Sequence, residues 1–315
     1  MRRIYRTAAL LALSLVLTSA VTACRGDSSR SADTTADAGG AWADAGTGAP
    51  VAVAEAETAP AAVIAEAPVA GRYTAGADAV ITLGDAIAVQ GNGAVVKGST
   101  VTVTSKGTYL ISGTLNGGQI LVDTADEEKV VLILNGVSVA CTDGPAVLVK
   151  SAPKKVVLYT AAGSVNIFSD GGGYIVPDEE QTEGEIYPNA CIYSCEDLEF
   201  DGEGELHVMG NADKGINSKD DIRIKGGTLV LTSVGVGIRG NDSVTVRGGT
   251  VTVEAGGDGI KSANADVEGK GFLTVEGGSL FVTAKGDGLS AATDLTVKGG
   301  NLVLTTTDTD GVVLE

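Results

Sequence analysis

Three aspartates, Asp258, Asp287 and Asp310, occupy the same place in successive repeats of the sequence, each directly before a glycine and an apolar residue. If the repeats stack as neighbouring strands about 4.8 Å apart, three carboxylates in a row repel one another unless a cation lies between them. Ca²⁺ suits such a row because it accepts about 6–8 oxygen ligands in a flexible geometry. The alternative is that each aspartate caps a turn through a hydrogen bond beside a glycine. The sequence therefore predicts either a calcium row or a row of turn caps, with Ca²⁺ as the expected cofactor.

A second group of aspartates lies at the next turn of the repeat, where Asp220, Asp221 and Asp242 precede another predicted strand. They are further candidate Ca²⁺ ligands and equally good turn caps. The first row is interrupted upstream, because Lys214 and Val236 stand at its equivalent positions. A metal row is therefore expected in the C-terminal half of the chain or at this second turn.

Polar residues also recur at a third position of the repeat. Asn217, Arg239 and Lys261 each follow a predicted buried apolar residue and should point outward as a stripe on one flat face. Such a face suits an extended polysaccharide, because the strand spacing can match the sugars along a chain. Lys214 and Lys219 complete the candidate carbohydrate-binding residues. The alternative is a solvated face whose basic residues neutralise nearby aspartates.

These residues are carried by a repeated strand. A segment that ends in Gly-Gly-Thr or a close variant recurs at residues 222–228, 244–250, 273–279 and 295–301. Successive copies begin 22, 29 and 22 residues apart, and the longest step contains an insertion near residues 263–270. The regular step indicates that one structural unit is repeated along this half of the chain.

Apolar and polar residues alternate with a period of 2 within each repeat, which predicts strands with one buried face. A unit of this length cannot bury its apolar face alone, whereas stacked neighbours can. The motifs of leucine-rich repeats and of calcium-binding nonapeptide rolls are absent from the sequence. The expected fold is therefore all-β: a right-handed single-stranded parallel β-helix, a solenoid with about 22 residues per coil.

The composition excludes several classes of protein. The 315 residues include 45 Gly, 7 Tyr, 4 Phe and 1 Trp, which argues against a helical bundle. The net charge of −18 argues against nucleic acid as a partner, because phosphate binding needs a basic surface. The single His excludes a histidine-based metal cage and makes serine-triad chemistry improbable.

The N-terminal part has the composition of an export signal followed by a linker. Residues 1–23 contain an arginine-rich start and an apolar run, and they end before Cys24 in a sequence that resembles the lipobox of bacterial lipoproteins. Residues 24–70 are rich in Ala, Asp, Gly and Pro and predict a disordered tether. The folded domain is expected at residues 71–315. Lipidation of Cys24 would place the protein outside the cell, anchored to the membrane as a surface lipoprotein.

Several segments resemble a bacterial family of carbohydrate-binding β-helix proteins. The resemblance rests on Leu-Asn-Gly-Val-Ser-Val at residues 134–139, on residues 215–222, on Gly-Asp-Gly-Ile-Lys-Ser at residues 257–262, and on the Gly-Gly-Thr strands. It covers the chain from about residue 80 to the C-terminus. It implies a fold like that of pectate lyases, bound Ca²⁺, and binding of cellulose or polygalacturonate without lyase activity.

Together these observations predict a surface-anchored, non-enzymatic protein that binds polysaccharide with help from Ca²⁺, either an acidic glycan such as polygalacturonate or cellulose. One alternative is a Ca²⁺-dependent polysaccharide lyase with Lys214, Lys219 or Lys261 as the base, although the many surrounding carboxylates favour a charged ammonium at these positions. The other is a structural or adhesive β-solenoid. The chain stops soon after a predicted strand start, so end-to-end self-association is a further expectation.

Overall fold

The computed structural model describes residues 76–176, 180–182, 185–307 and 311–314. The predicted signal peptide, Cys24, the predicted tether and Asp310 lie outside the described residues. No α-helix occurs in the described ranges, and in that part of the chain no helix is long and apolar enough to cross a membrane. The prediction of an all-β protein is therefore confirmed for the described residues.

The strands form two sheets. Sheet A contains 16 strands: β1 (Ala79–Leu83), β2 (Ala88–Gly91), β5 (Gly107–Asn116), β7 (Val130–Ala140), β9 (Val156–Thr160), β10 (Val165–Ser169), β12 (Leu198–Gly202), β13 (Glu205–Gly210), β15 (Asp221–Ile224), β16 (Thr228–Ser233), β18 (Ser243–Val246), β19 (Thr250–Ala255), β21 (Phe272–Val275), β22 (Ser279–Ala284), β24 (Leu295–Val297) and β25 (Asn301–Thr306). Sheet B contains 10 strands: β3 (Ala94–Lys97), β4 (Thr100–Val103), β6 (Gln119–Asp123), β8 (Val147–Ser151), β11 (Ala190–Ser194), β14 (Lys214–Ser218), β17 (Ile238–Gly240), β20 (Ile260–Ser262), β23 (Leu289–Ala291) and β26 (Val312–Leu314).

The predicted right-handed single-stranded parallel β-helix is wrong, because the strands belong to two large sheets. Thirteen strands of sheet A form one parallel path in the order β24-β21-β18-β15-β12-β9-β7-β10-β13-β16-β19-β22-β25. The physical reason is the length of β7. Its first residues pair with β9 and its last residues pair with β10, so one strand joins the two arms of the sheet. Two antiparallel pairs, β1 with β2 and β3 with β4, depart further from the predicted arrangement.

Rows of aliphatic side chains form the core. In sheet B, Ile216 pairs with Ile238, Ile238 with Ile260, and Ile260 with Leu289, and all four side chains are fully buried. Each such side chain contributes roughly 1.5–3 kcal/mol when it is removed from water. The pairing of Ile260 with Leu289 spans the insertion, so the additional residues leave the register of the core unchanged.

A glycine precedes each of these buried residues because the backbone passes close to the core there. A Cβ added to Gly259 would lie 2.2 Å from Cγ1 of Val282 and 2.6 Å from the carbonyl oxygen of Gly288. Real Cβ atoms do not approach other atoms so closely. The recurrent glycine before an apolar residue is thus a packing requirement.

One buried side chain secures the bend at which β7 passes from one arm of sheet A to the other. Oδ1 of the fully buried Asn166 accepts a hydrogen bond of 3.0 Å from the backbone N–H of Val137, which lies between the two paired segments of β7. Its Nδ2 donates to Oγ of Ser164 and to the carbonyl oxygen of Glu205, both at 2.9 Å. Asn166 in β10 therefore connects β7 with β13.

We expect Asn166→Leu to lower the free energy of unfolding by about 2–4 kcal/mol, because leucine leaves a buried N–H and a buried carbonyl without their partner. Denaturant unfolding followed by circular dichroism measures the change. The matched control is Asn301→Leu, at an exposed position of β25. Equal stability of the two variants would show that the buried amide does not secure the bend.

Candidate functional site

The predicted polar residues form a row along sheet B, in which Arg239 and Lys261 are half-buried and Asn217 is buried. Asn217 of β14 pairs with Arg239 of β17, and Arg239 pairs with Lys261 of β20. The row continues to Tyr193 in β11 and to Ser290 in β23. We call these five residues the polar row. The prediction that Asn217, Arg239 and Lys261 share one row is confirmed, while their role in binding stays a prediction.

Arg239 stands at the centre of the polar row and is half-buried. Its Nη1 donates to Oδ1 of Asn217 at 3.3 Å, and its Nη2 donates to Oδ1 of Asn241 at 3.2 Å. Both partners are neutral amides. Burial lowers the pKa of Arg239, and burial also raises the pKa of the neighbouring Tyr193 to about 12. The charge of Arg239 is therefore partly desolvated, and in the described part of the chain its side-chain hydrogen bonds go to amide dipoles and not to carboxylates.

Arg223, which lies on sheet A, shows how this chain otherwise treats a half-buried guanidinium. Its Nη1 lies 2.7 Å from Oδ2 of Asp197, and its Nη2 contacts Oδ2 of Asp221. Burial opposes the charged form, but the two carboxylates overcome it and raise the pKa of Arg223. The pKa values of Arg223 and Arg239 are thus displaced in opposite directions, because Arg223 is bound by carboxylates and Arg239 by amides.

The three lysines predicted to bind carbohydrate have different surroundings. Nζ of Lys261 lies 3.0 Å from Oδ2 of Asp258, and Lys214, the first residue of β14, contacts Asp213. Lys219 directly follows β14 and is exposed. Lys214 and Lys219 consequently lie at opposite ends of one strand, and only Lys261 belongs to the polar row.

The first group of candidate calcium ligands lies at the edge of sheet B where its parallel strands begin. Oδ1 of Asp258 accepts a hydrogen bond of 2.9 Å from the backbone N–H of Asp287, and its Oδ2 faces Lys261. Asp258 therefore accepts a hydrogen bond from a neighbouring turn and forms an ion pair. The hydrogen bond agrees with the alternative that the aspartate caps a turn. Asp310 lies outside the described residues.

The second group lies at the opposite edge of sheet B, where the strands end. Asp221 accepts a hydrogen bond of 2.7 Å from Ser243 and contacts Arg223. Asp242 is 2.5 Å from Nζ of Lys270. Although burial opposes it, Lys270 and Asn264 hold the pKa of Asp242 below its usual range.

Asp220 is a direct neighbour of Asp242 and carries the most perturbed carboxyl group at this edge. Burial, followed by repulsion from Asp242 and Asp197, raises the pKa of Asp220 to about 6.

In the described ranges, no three His, Cys, Asp or Glu side chains converge in a way that could hold a metal ion. Asp258, Asp221 and Asp242 instead face protein cations. The residues described here therefore do not fit a preformed calcium site, and calcium dependence stays a prediction from the sequence.

Two additions to the repeat flank the polar row. The excursion comprises the described residues 171–176, 180–182 and 185–189, which precede β11 at the edge where the strands of sheet B begin. Residues 263–271, the insertion, leave β20 and lie at the edge where the strands end. The described part of the excursion and the start of β14 enclose an open cleft of about 330 Å³ that is lined by Tyr187, Asn189 and Lys214, among others.

The base of the excursion is closed by a buried hydrogen-bond cluster. The hydroxyl of Tyr174 lies 2.7 Å from Oδ2 of Asp170 and 2.9 Å from the carbonyl oxygen of Ala190. Oδ1 of Asp170 also accepts a hydrogen bond of 2.6 Å from the backbone N–H of Asn211. These contacts hold the two ends of the excursion together beside the polar row.

Sequence reasoning missed the asparagines that hold the polar row in place. Asn217 Nδ2 donates to Oδ1 of Asn189 at 2.7 Å, and Asn241 accepts from Arg239. Asn189 belongs to the excursion, and Asn241 follows β17 in a turn. Neither residue has an equivalent in the other repeats, so periodicity carries no signal for them.

The raised pKa of Asp220 predicts a stability effect with a defined sign. Between about pH 4, the pKa of an unfolded aspartate, and about pH 6, the folded state holds the proton more tightly, so the free energy of unfolding falls as the pH rises. Asp220→Asn removes the buried charge and its repulsion from Asp242 and Asp197 at every pH. We expect this variant to melt a few degrees above the wild type at about pH 8 and at the same temperature at about pH 4. Asp266→Asn, at an exposed position, is the control. A wild-type melting temperature that rises relative to that of Asp220→Asn as the pH increases would contradict the raised pKa of Asp220.

Known proteins are similar to this chain in sequence and in structure. A sequence profile of the carbohydrate-binding domain-containing proteins matches residues 97–313, which is more than half of the chain. A carbohydrate-binding domain-containing protein of Acetivibrio thermocellus is 39% identical over 131 residues, covering 42% of this chain and 44% of that protein. The chain therefore spans less than half the length of this relative.

A solved structure extends the similarity to three dimensions. The polysaccharide lyase-like protein from C. thermocellum, determined as a gadolinium derivative, superposes with a TM-score of 0.64 at 32% sequence identity. The match covers 75% of this chain and 97% of that structure. The match of the family profile over residues 97–313 shows that the chain belongs to the family of carbohydrate-binding domain-containing proteins.

Proposed function

We propose that the protein binds an extended, carboxylate-bearing polysaccharide across the strands of sheet B and does not cleave it. The observation that carries this proposal is the half-buried guanidinium of Arg239, which donates to two neutral amides at the centre of the polar row. Membership of a carbohydrate-binding family supports the class of ligand. The acidic character of the glycan is argued from Arg239.

A carboxylate is the group that a desolvated guanidinium binds best. A guanidinium has more N–H donors than the two used by Asn217 and Asn241, and its planar fork matches a carboxylate in a bidentate geometry. The ion pair would also offset the cost of burying the charge. Arg223 illustrates the preference within the same chain, because its guanidinium binds two carboxylates.

The shape of the site suits a polymer. Members of the polar row follow one another at the strand spacing of about 4.8 Å, which is close to the length of a sugar residue. A glycan that runs across the strands therefore places similar groups over Arg239 and Lys261 in turn, while the buried Asn217 contacts Arg239. The excursion and the insertion, at opposite edges of sheet B, border its path.

Local charge reconciles an acidic glycan with an acidic protein. The whole chain has a net charge of −18, and Lys261 and Lys214 are paired with aspartates. Arg239, by contrast, is held by the neutral amides of Asn217 and Asn241 and keeps a charge for an anion. Calcium dependence, expected from the sequence, is a separate proposal, and the contacts proposed here do not require the ion. Binding with calcium and with a chelator separates the two.

We expect Arg239→Gln to weaken binding to polygalacturonate roughly 10-fold or more, because it removes a charge-assisted hydrogen bond to the carboxylate. Isothermal titration calorimetry with calcium and with EGTA gives the affinity. Arg247→Gln removes the same charge from an exposed position on sheet A and should bind like the wild type.

Asn217→Asp extends this test with an isosteric change. The new carboxylate would occupy the Nη1 side of Arg239 permanently, and the amide of Asn189 can turn its donor toward it. We expect binding of polygalacturonate to fall about as far as in Arg239→Gln while the melting temperature does not decrease. Unchanged affinity in both Arg239→Gln and Asn217→Asp would show that Arg239 does not bind the carboxylate of the glycan.

A polysaccharide lyase is the second candidate, favoured by the name of the polysaccharide lyase-like structural neighbour. Proton abstraction beside a uronate needs a neutral amine. Lys214 and Lys261 are held by Asp213 and Asp258, and Lys219 is exposed beyond the polar row. A rise in ultraviolet absorbance from unsaturated uronides during the same titrations would establish the lyase, and a flat signal with binding supports the binding protein.

We also propose that the protein is a surface lipoprotein outside the cell, anchored through Cys24, on the strength of the preceding sequence Val21-Thr22-Ala23. Cys24→Ser removes the thiol that carries the lipid. Fractionation of expressing cells should then find the variant in the medium and the wild type in the membrane. A wild type that is released as readily as Cys24→Ser would contradict the anchor.

A further inference from the structure

Arg239 lies in the middle of a chain of hydrogen-bonded side chains that reaches both additions to the repeat. Toward the excursion, Nη1 of Arg239 donates to Asn217, whose Nδ2 donates to Asn189 at 2.7 Å. Toward the insertion, Nη2 donates to Oδ1 of Asn241, and Nδ2 of Asn241 donates to Oδ1 of Asp242 at 3.4 Å. The guanidinium is thus linked to both borders of the proposed glycan path.

The insertion holds Asp242 with two of its side chains. Nζ of Lys270 is 2.5 Å from Oδ2 of Asp242, and Nδ2 of Asn264 is 2.8 Å from Oδ1. Asp242 is 7% exposed, so these contacts orient its carboxylate. Oδ1 of Asp242, which accepts from Asn264, also accepts the hydrogen bond from the amide of Asn241.

The orientation of the Asn241 amide follows from its two charged neighbours. Its N–H₂ group faces the carboxylate of Asp242, and its oxygen faces the guanidinium of Arg239. A flipped amide would direct its N–H₂ group at Arg239 and its oxygen at Asp242, losing both hydrogen bonds. A fixed Asp242 therefore fixes the acceptor that orients Arg239.

We infer that the insertion is a positioning element for the ligand site: Lys270 and Asn264 act through Asp242 and Asn241 to orient the guanidinium of Arg239. The inference rests on the proposed function for its consequence, since it makes glycan affinity depend on residues outside the polar row. Lys270 and Asn264 are positioning residues in this account, and Arg239 is the group that contacts the carboxylate.

The backbone allows this role to be separated from folding. Ala263 and Asn264 donate their backbone N–H groups to the carbonyl oxygen of Asn241 at 3.2 and 2.9 Å, and Gly271 donates to the carbonyl oxygen of Asp242 at 2.6 Å. Loss of the Lys270 side chain leaves these bonds in place. We therefore expect Lys270→Met to keep the insertion folded while it loosens Asp242.

The test uses the full chain labelled with ¹⁵N-arginine. Arginine occurs only at positions 223, 239 and 247 of the described residues, and Arg239→Gln assigns the Arg239 signals. In the free wild type, hydrogen bonds at both Nη atoms should slow rotation of the Arg239 guanidinium and exchange of its protons. We expect Lys270→Met and Asn241→Ala to speed both, and Lys270→Arg to restore them. Lys298→Met, which removes an exposed lysine on sheet A, should change neither.

Affinity for polygalacturonate, measured in the same variants, reports the consequence. We expect Lys270→Met to weaken binding roughly 5-fold and Lys298→Met to leave it unchanged. Wild-type guanidinium dynamics in Lys270→Met and Asn241→Ala would overturn the inference, as would faster dynamics with unchanged affinity. Because the dynamics are recorded without glycan, a wild type that binds no glycan but responds to Lys270→Met would reject the proposed function and keep the positioning of Arg239.

Discussion

Parallel pairing in register is the constraint on which the rest of this structure depends. Each residue of a strand lies beside its equivalent in the next repeat, about 4.8 Å away. Apolar side chains gain from this arrangement, as the fully buried row from Ile216 to Leu289 shows. Charged side chains of the same sign are destabilised by it, because like charges at this distance repel. The charged residues discussed above are placed so that this repulsion is reduced.

The chain uses two solutions. Where carboxylates recur near each other at the edges of sheet B, it places a cation from another segment against them, as Lys270 does for Asp242 and Arg223 does for Asp197. Where Arg239 and Lys261 stand side by side in the polar row, Lys261 is neutralised by Asp258 and Arg239 is held by amides. The second solution leaves a cationic group able to bind an anion on the surface of an acidic protein.

The sequence predicts the repeated features well and the unique ones poorly. Equivalent positions 22 residues apart gave the all-β class and the row of Asn217, Arg239 and Lys261, because period and register are properties of the repeat. The merging of both arms of sheet A through β7 was not predictable, since it depends on the length of one strand. The roles of Asn189 and Asn241 were not predictable for a related reason, because neither asparagine recurs at the equivalent position of another repeat. The spacing of the aspartates predicted their row but not that Lys261 pairs with Asp258.

The buried amide at the bend of β7 bears on how the molecule comes apart. Arrays whose units touch only their neighbours unravel from an end, one unit after another. Asn166 in β10 instead forms hydrogen bonds to both neighbouring strands of the sheet, β7 and β13. The three strands therefore share one set of hydrogen bonds. Opening any one of them exposes unpaired groups in the others. This region should therefore resist fraying as a block, with the slowest amide exchange at its centre, while repeats without such a clamp exchange earlier.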